Sequence, residues 1–154
     1  MNKAGQIALA ATLALLAGCK QSAPELTLQQ FMAQKVDPTS KVYFSAVQYI
    51  SDETGEHDIV PQTDADWEKV RQAAADLQAQ GKELQSAAYT EGRNADWTQF
   101  SQSLVEAGQL AEQAAKDKNP DKVFEVSGTV YAVCDACHMA YPKDSATPGG
   151  GGPS

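Results

Sequence analysis

Cys134-Asp135-Ala136-Cys137-His138 puts two thiols and an imidazole into one short run. Thiols three residues apart on a helix lie on neighbouring faces of one turn. The imidazole, four residues beyond the first thiol, stands over that same turn. Cys-x-x-Cys-His in this order is the attachment pattern of c-type haem. The thiols reach the two vinyl groups and the imidazole reaches the iron. Three other chemistries use parts of the pattern. A thioredoxin-type redox pair uses Cys-x-x-Cys at the start of a helix in an α/β fold, and no strand alternation here is strong enough to suggest one. A zinc site needs a fourth ligand, and the only other histidine, His57, falls in a loop-like stretch. A disulfide between these cysteines closes a tiny loop and stabilises little. Haem uses both thiols, so the expected cofactor is one covalently bound haem c. Cys134 and Cys137 are then the thioether positions and His138 the proximal iron ligand.

The third cysteine has its own context. Met1-Asn2-Lys3 is a short cationic start, and the stretch from Gln6 to Ala17 is apolar apart from Gln6 and Thr12. That is the length of a secretory signal core and too short to span a membrane. It ends in Leu16-Ala17-Gly18-Cys19, which resembles the lipobox of bacterial lipoproteins. The resemblance implies cleavage before Cys19 and a lipid on its thiol. The expected location is then the periplasmic side of a bacterial membrane. Lys20 follows Cys19 where an inner-membrane retention signal would have Asp, which favours the outer membrane. All three cysteines are then accounted for, one by lipid and two by haem.

The chain divides into four segments: a signal peptide at 1–18, a lipidated tether at 19–24, a folded domain at 25–144 and a Gly/Pro tail at 145–154 expected to be disordered. The length of 154 residues suits one domain. Lys and Arg number 12 against 20 Asp and Glu, a formal charge of −8, and removing the signal peptide takes away only Lys3. This acidity argues against an electrostatic grip on nucleic acid or an anionic membrane.

The elements that must carry the motif are helical. Trp67, Val70, Ala74, Leu77, Gly81 and Leu84 repeat at alternating spacings of three and four, as do Trp97, Phe100, Leu104, Ala107, Ala111 and Ala114. Such stripes belong to helices packed almost parallel to their neighbours. Thr63 with Asp66 predicts a capping box for the first, and Asn94 a cap for the second. Tyr89 to Arg93 is the connection. A last helix starts at Pro120 and stops before Pro142, with Val123, Val126, Val130, Val133 and Cys137 on one stripe. Upstream, Thr27 caps a helix with Leu28, Phe31, Met32 and Val36 on one face. Asp37-Pro38 interrupts it, and a second segment is expected from Pro38 to Ile50. The residues from Ser51 to Gln62 read as an acidic loop. The expected fold is all-α: an antiparallel four-helix bundle whose first helix is kinked or broken near Pro38.

A bundle with Cys-x-x-Cys-His on its last helix resembles the class II c-type cytochromes (cytochrome c′ and the low-spin cytochrome c-556 type). Tyr141 matches the aromatic that this family carries three residues after the haem histidine. The basic residue that often comes next is Pro142 here, with Lys143 one position later. The resemblance covers Leu26 to Tyr141. At 100° per residue, Phe124, Ser127, Tyr131 and Cys134 lie within about 40° of His138, so the first three are candidate haem contacts. In this family the first helix supplies the group that faces the open side of the iron. Met1 leaves with the signal peptide and Met139 follows the proximal histidine, so Met32 is the candidate distal ligand, ahead of Lys35 and His57. A methionine there implies a six-coordinate electron carrier; an apolar residue implies a five-coordinate protein binding NO or CO. The carrier is the leading reading. No carboxylate constellation or Gly-rich loop points to an enzyme. The expected partners are a redox protein with a basic docking surface and the membrane through Cys19, with a homodimer as a further association.

Overall fold

The computed structural model describes residues 26–142. The signal peptide at 1–18, Cys19 with the tether to 24, Lys143 and the tail at 145–154 lie outside them. Helix makes up 73% of the structure, in five helices, and a two-stranded sheet accounts for the other regular elements.

Helix α1 covers residues 28–44 in three joined pieces. Leu28–Phe31 is an α-helical turn, Met32–Val36 a π-helical turn and Asp37–Phe44 an α-helical stretch. Thr27 caps it through a reciprocal pair with Gln30, as its position predicts. Of the kink or break expected near Pro38, the break does not occur: Phe31, Met32, Val36 and Asp37 all keep right-handed helical dihedrals. Proline has no N–H and its ring crowds the carbonyl four residues back. The turn before Pro38 widens instead, and the Asp37 N–H reaches back five residues to the Met32 carbonyl.

The segment after α1 also departs from expectation. Helix ends at Phe44 rather than Ile50, and an antiparallel hairpin comes next, β1 (Gln48–Asp52) and β2 (Gly55–Ile59). Asp52 Oδ1 accepts from the Thr54 N–H at 2.8 Å and from its hydroxyl at 2.6 Å, building the turn. Gly55 takes φ 122, open to glycine alone at no cost. His57 sits on β2, with Nε2 3.2 Å from Asp52 Oδ2. The stretch read as a loop is therefore a polar ribbon, and the fold is not purely α.

Helix α2 (Asp64–Leu84) starts at the Thr63–Asp66 capping box. A short turn, α3 (Ala87–Thr90), occupies part of the expected connection, and Gly92 at φ 72 leads into α4 (Ala95–Lys116). Asn94 precedes α4, but its side chain makes no capping bond. Its Oδ1 accepts from the Tyr141 hydroxyl instead. Helix α5 (Pro120–Ala140) is capped by Asn119, with Pro120 in the first turn.

Both long stripes are buried as their spacing predicts, apart from half-buried Phe100. Helices α2 and α4 run in opposite directions: Leu84 meets Trp97, Arg71 meets Glu112 and Asp64 meets Lys118. They also approach very closely. A Cβ at Gly81 would lie 3.0 Å from Ser101 O, and one at Gly108 would lie 3.0 Å from Gln78 N. The largest fully buried side chains, Trp97, Tyr43, Leu77, Val123 and Val130, come from α1, α2, α4 and α5. All four helices therefore share one core.

Candidate haem site

The motif occupies the C-terminal part of α5. Val130 is fully buried and Val133 half-buried on its inward side, and they set the helix's rotation. Cys134, Cys137 and His138 are then half-buried along one edge of a cleft. Val133 joins them from α5, and α1 contributes Met32 and Val36. Leu84 of α2 and Trp97, Phe100, Ser101 and Leu104 of α4 complete the lining. The cleft is narrow: water-sized atoms can occupy about 40 Å³ of it, room for a few waters, and one side is open.

Local bonds fix this lining. Trp97 Nε1 donates to the Leu84 carbonyl at 2.7 Å, and the Ser101 hydroxyl donates to the Trp97 carbonyl at 2.8 Å. Both polar groups are satisfied, so the cleft presents mainly apolar surface. Tyr141 sits edge-on to Trp97, ring centroids 5.1 Å apart, and the Arg93 guanidinium lies 4.4 Å over the Trp97 ring.

Burial raises the Cys134 thiol above its ordinary range. It pushes Cys137 up to about 11, with the neighbouring Cys134 adding repulsion. The pair also lies far from the positive N-terminal end of α5. A nucleophilic redox pair needs the opposite environment, one that stabilises thiolate. Both cysteines carry free thiols. Among the described residues no three of His, Cys, Asp and Glu gather as a metal-binding group.

The donor set suits haem c. Two thiols at the attachment spacing and an imidazole come from α5, a thioether comes from α1, and aliphatic and aromatic side chains fill the space between. Cys134, Cys137, His138 and Met32 are thus brought together, although Met32 is separated from Cys134 by most of the chain. The candidate contacts Phe124, Ser127 and Tyr131 do not line this cleft. Phe124 is 50% exposed and packs edge-on against Tyr49 at 5.0 Å. Tyr131 is 64% exposed, and the Ser127 hydroxyl donates to the Val123 carbonyl at 2.8 Å. The buried line of α5 runs through Val123 and Val130, to one side of His138, so the arc around His138 that holds Phe124 and Tyr131 turns partly to solvent. Lys35 is exposed, and His57 lies on the hairpin paired with Asp52. Leu84, Trp97, Phe100 and Leu104 were legible as stripe residues, but nothing local marks them as cleft walls.

No protein-family model, curated protein or solved structure matches this chain.

Proposed function

We propose that this protein is a c-type cytochrome that transfers electrons through a single haem c, with the four long helices forming an antiparallel bundle around it. The observation that carries the reading is the shared cleft: Met32 from α1 and Cys134, Cys137 and His138 from α5 line one apolar space. When bound, haem c supplies a one-electron ferric/ferrous couple. Cys134 and Cys137 hold it through thioether bonds. His138 offers an imidazole nitrogen as proximal ligand, and Met32 offers its thioether as distal ligand. Leu84, Trp97, Phe100 and Leu104 exclude water from the ligand side.

The resemblance to class II c-type cytochromes rests on Cys134, Cys137 and His138 on the last helix of a bundle and on Tyr141. The lipobox-like Leu16–Cys19 supports a lipid anchor on the periplasmic face of a bacterial membrane, with the outer membrane favoured. The acidic chain favours a redox partner with a basic docking surface. We assign no enzymatic role.

Absorption spectra of ferric and ferrous protein, with and without CO, test the reading. A low-spin ferrous spectrum unchanged by CO is expected. A high-spin ferrous spectrum with ready CO binding moves the protein to the five-coordinate, gas-binding class. Haem extracted from the intact protein by acid acetone overturns covalent attachment.

A further inference from the structure

The π-helical turn of α1 determines which residue faces the cleft. Along an unbroken α-helix Met32 lies about 20° from Tyr43 and Phe31 about 120° from it. Met32 would then point along the fully buried line that Tyr43 marks, and Phe31 would point away from it. One extra residue in a turn rotates the residues before it by about 100° relative to those after it. That rotation brings Phe31 within about 20° of Tyr43 and moves Met32 to about 80°, on the flank. The contacts agree with the rotated register. Phe31 is 3% exposed and packs on Tyr89 with ring centroids 5.2 Å apart, while Met32 is half-buried and lines the cleft.

A π-helical turn is rare and needs outside support. Pro38 disfavours the ordinary α-helical turn from one side. Gln80 of α2 supplies support from the other. Its Nε2 donates to the Lys35 carbonyl, inside the π-helical turn, at 3.3 Å, and to the Thr39 hydroxyl, just beyond Pro38, at 2.9 Å. Its Oε1 is buried with no hydrogen-bond partner among the described residues. The amide is therefore oriented by its donor contacts across to α1.

We infer that Gln80 is a positioning residue: by tying Lys35 and Thr39 to α2, it holds the π-helical register that turns Met32 into the cleft. This rests on the reading of Met32 as distal ligand. Gln80 is not among the residues that line the cleft, and acts through α1.

The test uses the haem-loaded protein and four variants. Gln80→Leu removes both donor contacts at similar volume, and Pro38→Ala restores the missing N–H on the exposed side of α1. In each, CO should bind the ferrous protein at concentrations that leave the wild-type spectrum unchanged, and amide exchange at Asp37 should speed at least tenfold. Met32→Ala is the reference and should show the same CO binding. Gly108→Ala, which strains the α2–α4 contact instead, should leave the ferrous spectrum as insensitive to CO as in wild type. If Met32→Ala opens a CO site but neither Gln80→Leu nor Pro38→Ala does, the positioning role is wrong and the ligand reading stands. If Met32→Ala leaves CO binding as in wild type, the ligand reading fails. Asp37 exchange then decides alone whether Gln80 holds the turn: unchanged exchange in Gln80→Leu overturns that too.

Discussion

Gly81 and Gly108 let α2 and α4 approach until no further carbon fits between them, whereas Met32 and Val36 of α1 share an open cleft with Cys134, Cys137 and His138 of α5. The first contact uses small residues and regular α-helix throughout. The second includes a π-helical turn, half-buried sulfur side chains and a side open to solvent. Close packing rigidifies, and a site needs walls that do not drift. The α2–α4 pair serves as the fixed scaffold, and the α1–α5 side is where a group can be held. Substitutions on the two sides should therefore separate stability from haem chemistry.

The largest expected effect is on the cleft side. Changing both Cys134 and Cys137 to Ser should abolish haem that survives denaturation, read by haem staining after a denaturing gel. Full staining in that variant would break the assignment.

Next comes the tight side. In Gly108→Ala the new Cβ would lie 2.7 Å from Gln78 Cγ, 3.0 Å from Gln78 N and 3.2 Å from Ala74 O. Two of these neighbours are backbone atoms and cannot swing away. Overpacking of about 1–3 kcal/mol opposes roughly 1 kcal/mol gained in helix propensity. We expect a net loss of up to about 2 kcal/mol in urea unfolding. The contrasting position is Gly128 on the outward side of α5, where a Cβ meets nothing within 4 Å. Gly128→Ala should stabilise by about 0.5–1 kcal/mol. If both alanines shift stability in the same direction, the contrast between the two regions is wrong.

The smallest effect concerns the charges that tie α2 to α4. Hydrogen bonds from Lys116, Gln78 and Arg71 hold the Glu112 carboxyl down at about 2, against an ordinary 4.5. A carboxylate depressed in the folded state contributes stability that is complete above its ordinary value and is lost as pH falls toward the depressed one. Glu112→Gln should therefore destabilise by under about 1 kcal/mol at pH 7 and flatten the acid limb of stability between about pH 4.5 and 2. Urea midpoints across that range are the measurement. An unchanged acid limb would remove the ion pairs from the account of this interface.

Legibility tracked the range of the forces involved. Thr27, Thr63 with Asp66, and Pro120 act within a few residues, so their helix starts could be read directly. So could both stripes, because burial at three-and-four spacing is periodic along one element. The hairpin at 48–59 was missed although its turn, Asp52-Glu53-Thr54-Gly55, is a local signal. The acidic residues Asp52, Glu53, Glu56 and Asp58 obscured it, because a ribbon this polar lacks a buried face. Asn94 holds the N-cap position its place predicts, but its one side-chain oxygen accepts from Tyr141, from the far end of the chain, and makes no bond to the first turn.

The helices, their faces and the Cys-x-x-Cys-His chemistry were properties of neighbouring residues, and neighbouring residues are all that a chain specifies by its order. Which walls enclose the cleft was not. Met32, Leu84, Trp97 and Cys134 meet only because α1, α2, α4 and α5 bury their stripes against one another. The rotation of α1 shows the difference most clearly. Pro38 announced a disturbance, and its local chemistry allowed a kink, a break or a wider turn. The choice fell to the wider turn, which buries Phe31 beside Tyr89 and gives Gln80 two acceptors on α1, contacts that exist only once α2 is packed alongside.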